Sequence, residues 1–347
     1  MTKFRNPIFY FQFSIFNFQF SIFNFQFLPP LFLLLACTSP STEKKKSVTA
    51  SVQSAPYELL VVANKEWLQT TAGKSLMDIV ESEVVGLPQY EPSFRCTKIN
   101  PTAFDGTFKM YGSVVVADIG NKYPQAELRV SKDVYCHPQL IIFLTAPNDK
   151  AFTELATNRK EQILDMLNEH EFARGRQALA KRHSTIVDKQ AQKQFGVSIH
   201  VPDDIDEIKV GQNFFWASAG QQDFKLNVCM YTLPLADLTL NGFIQARDSV
   251  MKINIPGGHE GQWMETDSRT VSCTVQTQNI LIIRGLWDIR NDAMGGPFVS
   301  YVQKDEAHQR LLITEGFVFA PQTKKRALIR ELEAALQTLT FTTNTQI

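Results

Sequence analysis

From Tyr57 onward the apolar positions of this chain switch between the two periods of regular structure. Tyr57 to Ala63 (YELLVVA) is a short apolar run suited to a buried strand, and Glu66 to Ser82 carries Trp67, Leu68, Leu76, Met77, Ile79 and Val80 at helical spacing. Strand-like stretches follow near Lys109 to Asp118, Ala126 to Ser131 and Gln139 to Leu144. A long charged helix is then predicted from about Asp149 to His183. After Lys189 the pattern restarts: strands near Val197 to Val201, Phe214 to Ala219 and Lys225 to Thr232, a helix near Leu238 to Met251, and further strands up to Gln309 to Phe319. The last helix, Thr323 to about Leu339, puts Leu328, Leu332, Ala335, Leu336 and Leu339 on one stripe.

Strands grouped in meanders, with helices at the ends of the groups, predict an α+β fold of antiparallel sheets with helices packed on one face. Each half opens on a strand and closes on a helix. The pattern therefore divides the folded part into an N-terminal half, residues 57–188, and a C-terminal half, residues 189–347, with the boundary near Thr185 to Lys193.

The N-terminus follows a different rule. Lys3 and Arg5 precede an uncharged stretch that ends in Leu34-Leu35-Ala36-Cys37. This is the layout of a secretory signal closed by a lipobox, so residues 1–36 read as a signal peptide and Cys37 as the lipidated residue. The stretch is longer than the roughly 20 residues a membrane span needs, but Gln, Asn and Ser recur inside it. The segment Phe11 to Asn17 is repeated at Phe18 to Asn24 and begins a third time at Phe25; removing two copies restores an ordinary signal-peptide length. Residues 37–56 are rich in Ser, Thr and Lys and read as a flexible tether. Ser41-Thr42-Glu43-Lys44 matches S-x-x-K, but a nucleophile in a tether has no fixed oxyanion hole.

Lys and Arg total 35, as do Asp and Glu. Cleavage after Ala36 removes two basic residues and no acids, which leaves a nearly neutral protein with no field for nucleic acid. With Cys37 lipidated, Cys96, Cys136, Cys229 and Cys273 remain, either as disulfide partners in one of three connectivities or as small buried side chains. Their spacing and the scattered histidines suggest no metal site, and no cofactor motif occurs.

Several stretches together resemble a family of uncharacterised envelope lipoproteins of the Bacteroidota, described only as a domain of unknown function. They are Gly86-Leu87-Pro88-Gln89 with Glu91-Pro92 and Phe94, Arg284-Gly285-Leu286-Trp287, Met294-Gly295-Gly296-Pro297-Phe298, and Glu315 to Pro321 followed by Lys325-Arg326. The resemblance implies a location and brings no catalytic residues. The element order of the second half, with a Val-Pro strand start, a central helix, long paired strands and a final helix, resembles the Mog1/PsbP type.

Candidate ligand or partner residues lie in the second half. Arg284 leaves an apolar strand and Glu315 lies within another, so they are expected to form an ion pair if they are neighbours, or Arg284 to anchor an anionic ligand. Trp216, Trp263, Trp287 and Tyr301 stand beside polar residues, as aromatics that bind sugars or peptides do and as packing aromatics also do. His259 lies in the polar Gly257–Gly261 turn, and Gly295-Gly296-Pro297 reads as a second turn. The expectation is a non-enzymatic binding or accessory module, lipid-anchored at the outer membrane and facing the periplasm, with an envelope protein or glycan as partner. The alternative is a periplasmic hydrolase of glycan or cell-wall material built on two non-local acids.

Overall fold

In β1 (Glu58–Val62), four successive residues are buried, so the strand has no solvent face. This is the signature of a strand covered on both sides. The computed structural model describes residues 50–219 and 225–342; the expected signal peptide with its repeat, Cys37 and the expected tether through residue 49 lie outside them. With β2 (Arg95–Ile99), β3 (Ser113–Ile119), β4 (Glu127–Lys132) and β5 (Leu140–Ala146), β1 forms a sheet of order β2-β1-β3-β5-β4. The β1–β2, β1–β3 and β3–β5 pairs are parallel, and β4 runs antiparallel to β5.

The antiparallel sheet expected for this half is thus corrected to a mainly parallel one, and the cause is coverage. Leu59, Val61, Val115 and Ile142 pack under α1 (Thr71–Val80), α2 (Asp149–Asn158) and α3 (Lys160–Lys181). Leu60, Val62, Val114 and Ile141, on the opposite face, lie under Phe104, Phe108, Tyr111 and Tyr135. The single long helix expected over 149–183 is broken at Arg159, which caps α2 and precedes α3.

α4 (Thr185–Phe195) occupies the segment where the boundary between halves was expected. Ser184 caps its first turn by accepting from the Val187 amide, and Gly196 ends it at φ 70°, a left-handed conformation suited to glycine. Val187, Ala191 and Phe195 pack into the core of the second half.

That core surrounds seven strands: β7 (Ile205–Gly211), β8 (Phe214–Ala219), β9 (Lys225–Pro234), β10 (Met264–Thr277), β11 (Ile280–Ile289), β12 (Gly295–Asp305) and β13 (Arg310–Phe319). A short pair, β6 (Val197–Ser198) and β14 (Thr340–Phe341), lies apart. The seven run in the order β10-β11-β12-β13-β9-β8-β7, every pair antiparallel. The α+β class and the antiparallel sheet hold here.

Helices cover both faces of this sheet rather than one. α4 and α6 (Arg326–Leu336) meet Val228, Met230, Val299, Tyr301 and Leu312. α5 (Leu240–Asn254) meets the alternate residues Cys229, Tyr231, Phe298 and Ile313. A strand apolar on both sides needs a cover on both.

Gly295 and Gly296, read as part of a turn, open strand β12 instead. A Cβ at Gly296 would lie 1.9 Å from the Val318 carbonyl oxygen, so only glycine lets these strands approach. Gly296→Ala is expected to lower the urea midpoint by an amount equivalent to about 2–3 kcal/mol, the cost of overpacking. The exposed Gly258→Ala, whose Cβ meets nothing closer than 3.9 Å, is the control and should leave the midpoint nearly unchanged.

Candidate functional site

The two halves meet where α3 crosses α6. A Cβ at Gly175 would stand 2.9 Å from the Ala334 Cβ, so a small residue sets how close the helices come. Beside the crossing opens a cleft of ≈ 780 Å³, within the size range of small-molecule and peptide sites. Its walls are the α3 face from Glu171 to Arg182, the α6 residues Ala327, Arg330, Glu331 and Ala334, and the leading segment Val52 to Tyr57.

The leading segment is clamped there by one carboxylate. Glu171, fully buried on α3, accepts from the Tyr57 amide (3.0 Å), the Ser113 hydroxyl (2.5 Å) and Arg174 Nη1 (2.8 Å), while Arg174 Nη2 donates to the Ser54 carbonyl. Tyr57 takes φ 60° to reach this position, a conformation that costs a non-glycine residue about 1–2 kcal/mol. The Arg330 guanidinium lies 4.9 Å from the centre of the Tyr57 ring and donates to Asn168. The Tyr57 hydroxyl and Arg330 Nε are both buried without a partner among the described residues. Burial pushes the Tyr57 phenol above its ordinary range against the opposing pull of Arg330. Backbone strain and unpaired polar groups beside a cleft are the features that mark working sites.

The N-terminus of α6 has no cap from its own side chains. Glu91 of the first half supplies one, accepting from the amides of Lys325 (2.7 Å) and Arg326 (3.1 Å), and Arg326 Nη1 donates back to the Pro92 carbonyl. A carboxylate at a helix N-terminus satisfies orphan amides and meets the positive end of the dipole. Gly86, at φ 85°, packs against Arg284, and Leu87 joins the second core. The stretches that carry the family resemblance therefore converge on this seam, around a smaller cleft of ≈ 390 Å³ lined by Pro88, Gln89, Trp287, Gly295, Pro321 and Lys325.

The residues singled out from sequence do not form one site. Glu315 is fully buried and pairs with Arg247 of α5, not with Arg284: Nη2 to Oε1 is 2.7 Å and Nε to Oε2 is 3.0 Å. Ser300 Oγ donates to the same carboxylate at 2.6 Å, and Arg247 Nη1 donates to Thr266. Arg284 instead pairs with Glu333 of α6, which also accepts from the Tyr301 hydroxyl. Register explains the correction. Arg284 lies opposite Val299 and Glu315 opposite Ser300, and adjacent residues of β12 point to opposite faces.

On the Glu315 face, Trp216 donates to Asn227 and stacks on Phe317, which Trp287 meets edge-on; Trp287 is buried, with no acceptor for its Nε1 among the described residues. Trp263 lies apart at the surface between Lys252 and Arg290, 4.0 and 4.8 Å from its ring centre, and His259 is exposed in its turn. Sequence reading missed Arg247, Glu171 and Glu91. Arg247 left a signal, since it sits four residues from both Phe243 and Met251 on the buried stripe of α5.

The structure pairs none of the four described cysteines. Cys229 is buried on the α5 face of the second sheet, its thiol pushed far up by burial and by Glu315. Cys136 is buried in the first half, its thiol also raised by burial. Cys96 is pushed up to about 12 by burial and Glu81, and Cys273 is exposed on β10. Among the described residues no group of three metal-ligating side chains forms, and no helix is long and apolar enough to cross a membrane.

Residues 53–180 match the family model for Domain of unknown function (DUF8532), and residues 184–338 that for Domain of unknown function (DUF4837). Both halves match uncharacterised domain families. No curated protein matches the chain. Among solved structures, the Ran-binding protein Mog1p of Saccharomyces cerevisiae matches at 11% identity and a TM-score of 0.30, over 42% of this chain and 90% of its own. A mutant of Mog1 gives the same identity and score over 43% and 93%. A protein of Bacteroides thetaiotaomicron matches at 8% and 0.26, over 44% and 47%.

The buried ion pair gives a direct test. Arg247→Met leaves Glu315 uncompensated and is expected to cost about 3–5 kcal/mol, whereas Arg247→Met with Glu315→Leu should recover much of that loss. Denaturant unfolding of the two single variants and the double variant measures it; strictly additive losses would contradict the pairing.

Proposed function

We propose that this chain is an envelope lipoprotein, lipidated on Cys37, that serves as a non-enzymatic binding or accessory module on the periplasmic face of the outer membrane. Its binding groove is the cleft between α3 and α6, and its occupant is a segment of an envelope protein or a glycan strand. The charged start at Lys3 and Arg5 and the lipobox Leu34-Leu35-Ala36-Cys37 support the anchor.

The observation that carries the groove is that residues 52–57, the end of the segment that the sequence reads as a tether and the first residue after it, form one of its walls and are held there by Glu171 and Arg174. Val52 lies 15 positions after Cys37, a reach of at most about 50 Å when extended, so a ligand in this groove stays close to the membrane. Alanine, proline and leucine in the walls and arginines at the rim fit an extended polymer with an apolar backbone face.

The hydrolase alternative has less support. Glu171 is saturated by three donors, and Asp203 is held by Arg182 at 2.6 Å. That leaves Glu331 as the one carboxylate of the lining not so held, one short of the pair that glycoside hydrolysis uses.

Cys37→Ser is expected to abolish metabolic incorporation of an alkyne-palmitate label and to move the protein from the membrane to the soluble fraction; retained label would sink the anchor. Ala178→Trp, at an exposed wall position, should fill the groove without touching the core. In crosslinked native membranes it should lose its partner while the surface control Glu154→Gln keeps it, with unchanged melting temperature in both. A partner retained in Ala178→Trp would place binding elsewhere.

A further inference from the structure

The joint between the halves carries a pair of histidines. His183 lies in the segment 181–183 that separates the two family matches, and His200 follows β6 in the second half. Their rings stack with centroids 3.9 Å apart and planes inclined by 18°. His183 Nδ1 stands 3.0 Å from the Leu179 carbonyl oxygen, which can only accept, so this nitrogen carries a proton. Around the stack the joint closes through neutral contacts: the Ser184 amide donates to the Val201 carbonyl (3.0 Å), and the His200 amide to the Thr338 hydroxyl after α6 (2.8 Å). Leu179, Lys181 and Arg182 on one side of the joint and Pro202 and Asp203 on the other line the α3–α6 groove, so the stack lies at one end of that groove.

Two neutral imidazoles can stack, and so can one charged ring on a neutral one, but two cations at this spacing repel. The charges that face the pair do not remove that repulsion. Asp188 of α4 favours a charged His200, yet its oxygens are already held by the Ser198 hydroxyl (2.7 Å), the Ile199 amide (3.0 Å) and Gln192 (2.8 Å). At the end of α3, Lys181 adds a positive charge and Arg182 is paired with Asp203 at 2.6 Å. Asp204, before β7, acts on Glu331 of α6, and α6 reaches the pair through the uncharged Thr338. Desolvation first, and then His183, hold the His200 imidazole below its ordinary range against the pull of Asp188.

We propose that the His183–His200 stack is an acid-sensitive latch between the two halves, closed while at most one ring is charged and opened when both take a proton. Apart from each other in water, the two rings titrate near the ordinary value of about 6.5, so below that pH the open joint binds two protons where the closed joint resists the second. Closure is therefore favoured above about pH 6.5 and weakens as the pH falls below it. Opening separates Leu179 to Arg182 from Pro202 and Asp203 at the end of the groove, while the two sheets and the Glu91 cap of α6 stay in place. The latch is independent of what the groove binds.

Two measurements on the purified full-length protein, neither needing a ligand, test the latch. In an NMR titration of the histidine rings, the His183 and His200 midpoints are expected to differ by about one pH unit or more, a tenfold difference in proton affinity, and His183→Gln should raise the His200 midpoint by about half a unit or more. Hydrogen exchange of the segment 176–188 is then compared between proteins at the same pH. At pH 7.5 the wild type and His200→Phe, which keeps a flat ring that cannot charge, should agree within about twofold; at pH 5.5 the wild type should exchange about fivefold faster or more. His183→Gln, which leaves one ring to titrate, should behave as His200→Phe does. Exchange in β3, residues 113–119, should be alike in all three proteins, which separates a local opening from acid unfolding and from His170, lowered by burial in the first half and common to all. A His200 midpoint unmoved by His183→Gln, or equal exchange of 176–188 at pH 5.5 in the wild type and both variants, overturns the proposal.

Discussion

The second half is organised around the Arg247–Glu315 ion pair at the centre of its sheet. Removing two charges from water costs several kcal/mol each, and close geometry with further hydrogen bonds is what offsets that cost. Glu315 has it from Arg247 Nε, Arg247 Nη2 and Ser300, and Arg247 has it from Glu315, Thr266 and the face of Phe298 at 4.2 Å. Burial alone would weaken the charge on Arg247, but the neighbouring carboxylate reverses this and holds the guanidinium above its usual range. Because the bond joins β13 to α5, it fixes where that helix lies. The aromatic layer of Phe298, Phe317, Trp216 and Trp287 then packs around a defined position.

On the other face the same requirement is met across the two halves. Glu333 of α6 takes Arg284 and the Tyr301 hydroxyl, Glu91 of the first half caps α6, and Gly175 lets α3 approach it. α6 is thus held by the sheet below, by a carboxylate at its N-terminus and by a helix at its side. Both clefts border this helix or its cap, so their shapes depend on contacts between the halves. A loosened seam would change the shapes of both at once.

Much of the second half was legible in its pattern. The strand pattern of Gln309 to Phe319 and the stripe of Leu332, Ala335 and Leu336 found β13 and α6: the helix writes its buried stripe into the sequence, and the strand, buried on both faces, shows as a mainly apolar run. The first sheet was harder. β2 is Arg-Cys-Thr-Lys-Ile, too polar to read as a strand, yet it completes a parallel edge. The run LLVV reads as a buried strand and LIIF as part of a strand-like stretch, and neither carries a sign of direction, which is set by the crossovers. Their continuous burial was nevertheless the clue to a parallel sheet covered on both faces.

The site was less legible, for a geometric reason. Sequence reasoning recognised that Glu315 and Arg284 each needed a partner, but partner choice depends on face, and face depends on a register that a single chain does not display. A shift of one residue exchanges the two sides, and here it separates Arg284, which looks toward α6, from Glu315, which looks toward α5. Charges on apolar helical stripes carry more information. Arg247 between Phe243 and Met251, and Glu171 four residues beyond Leu167, occupy positions a solvated charge would avoid. Such a residue announces a buried partner even where the partner is unknown, and both turn out to anchor an element against its neighbour. Trp287 departs from that logic: its buried indole N–H has no partner among the described residues.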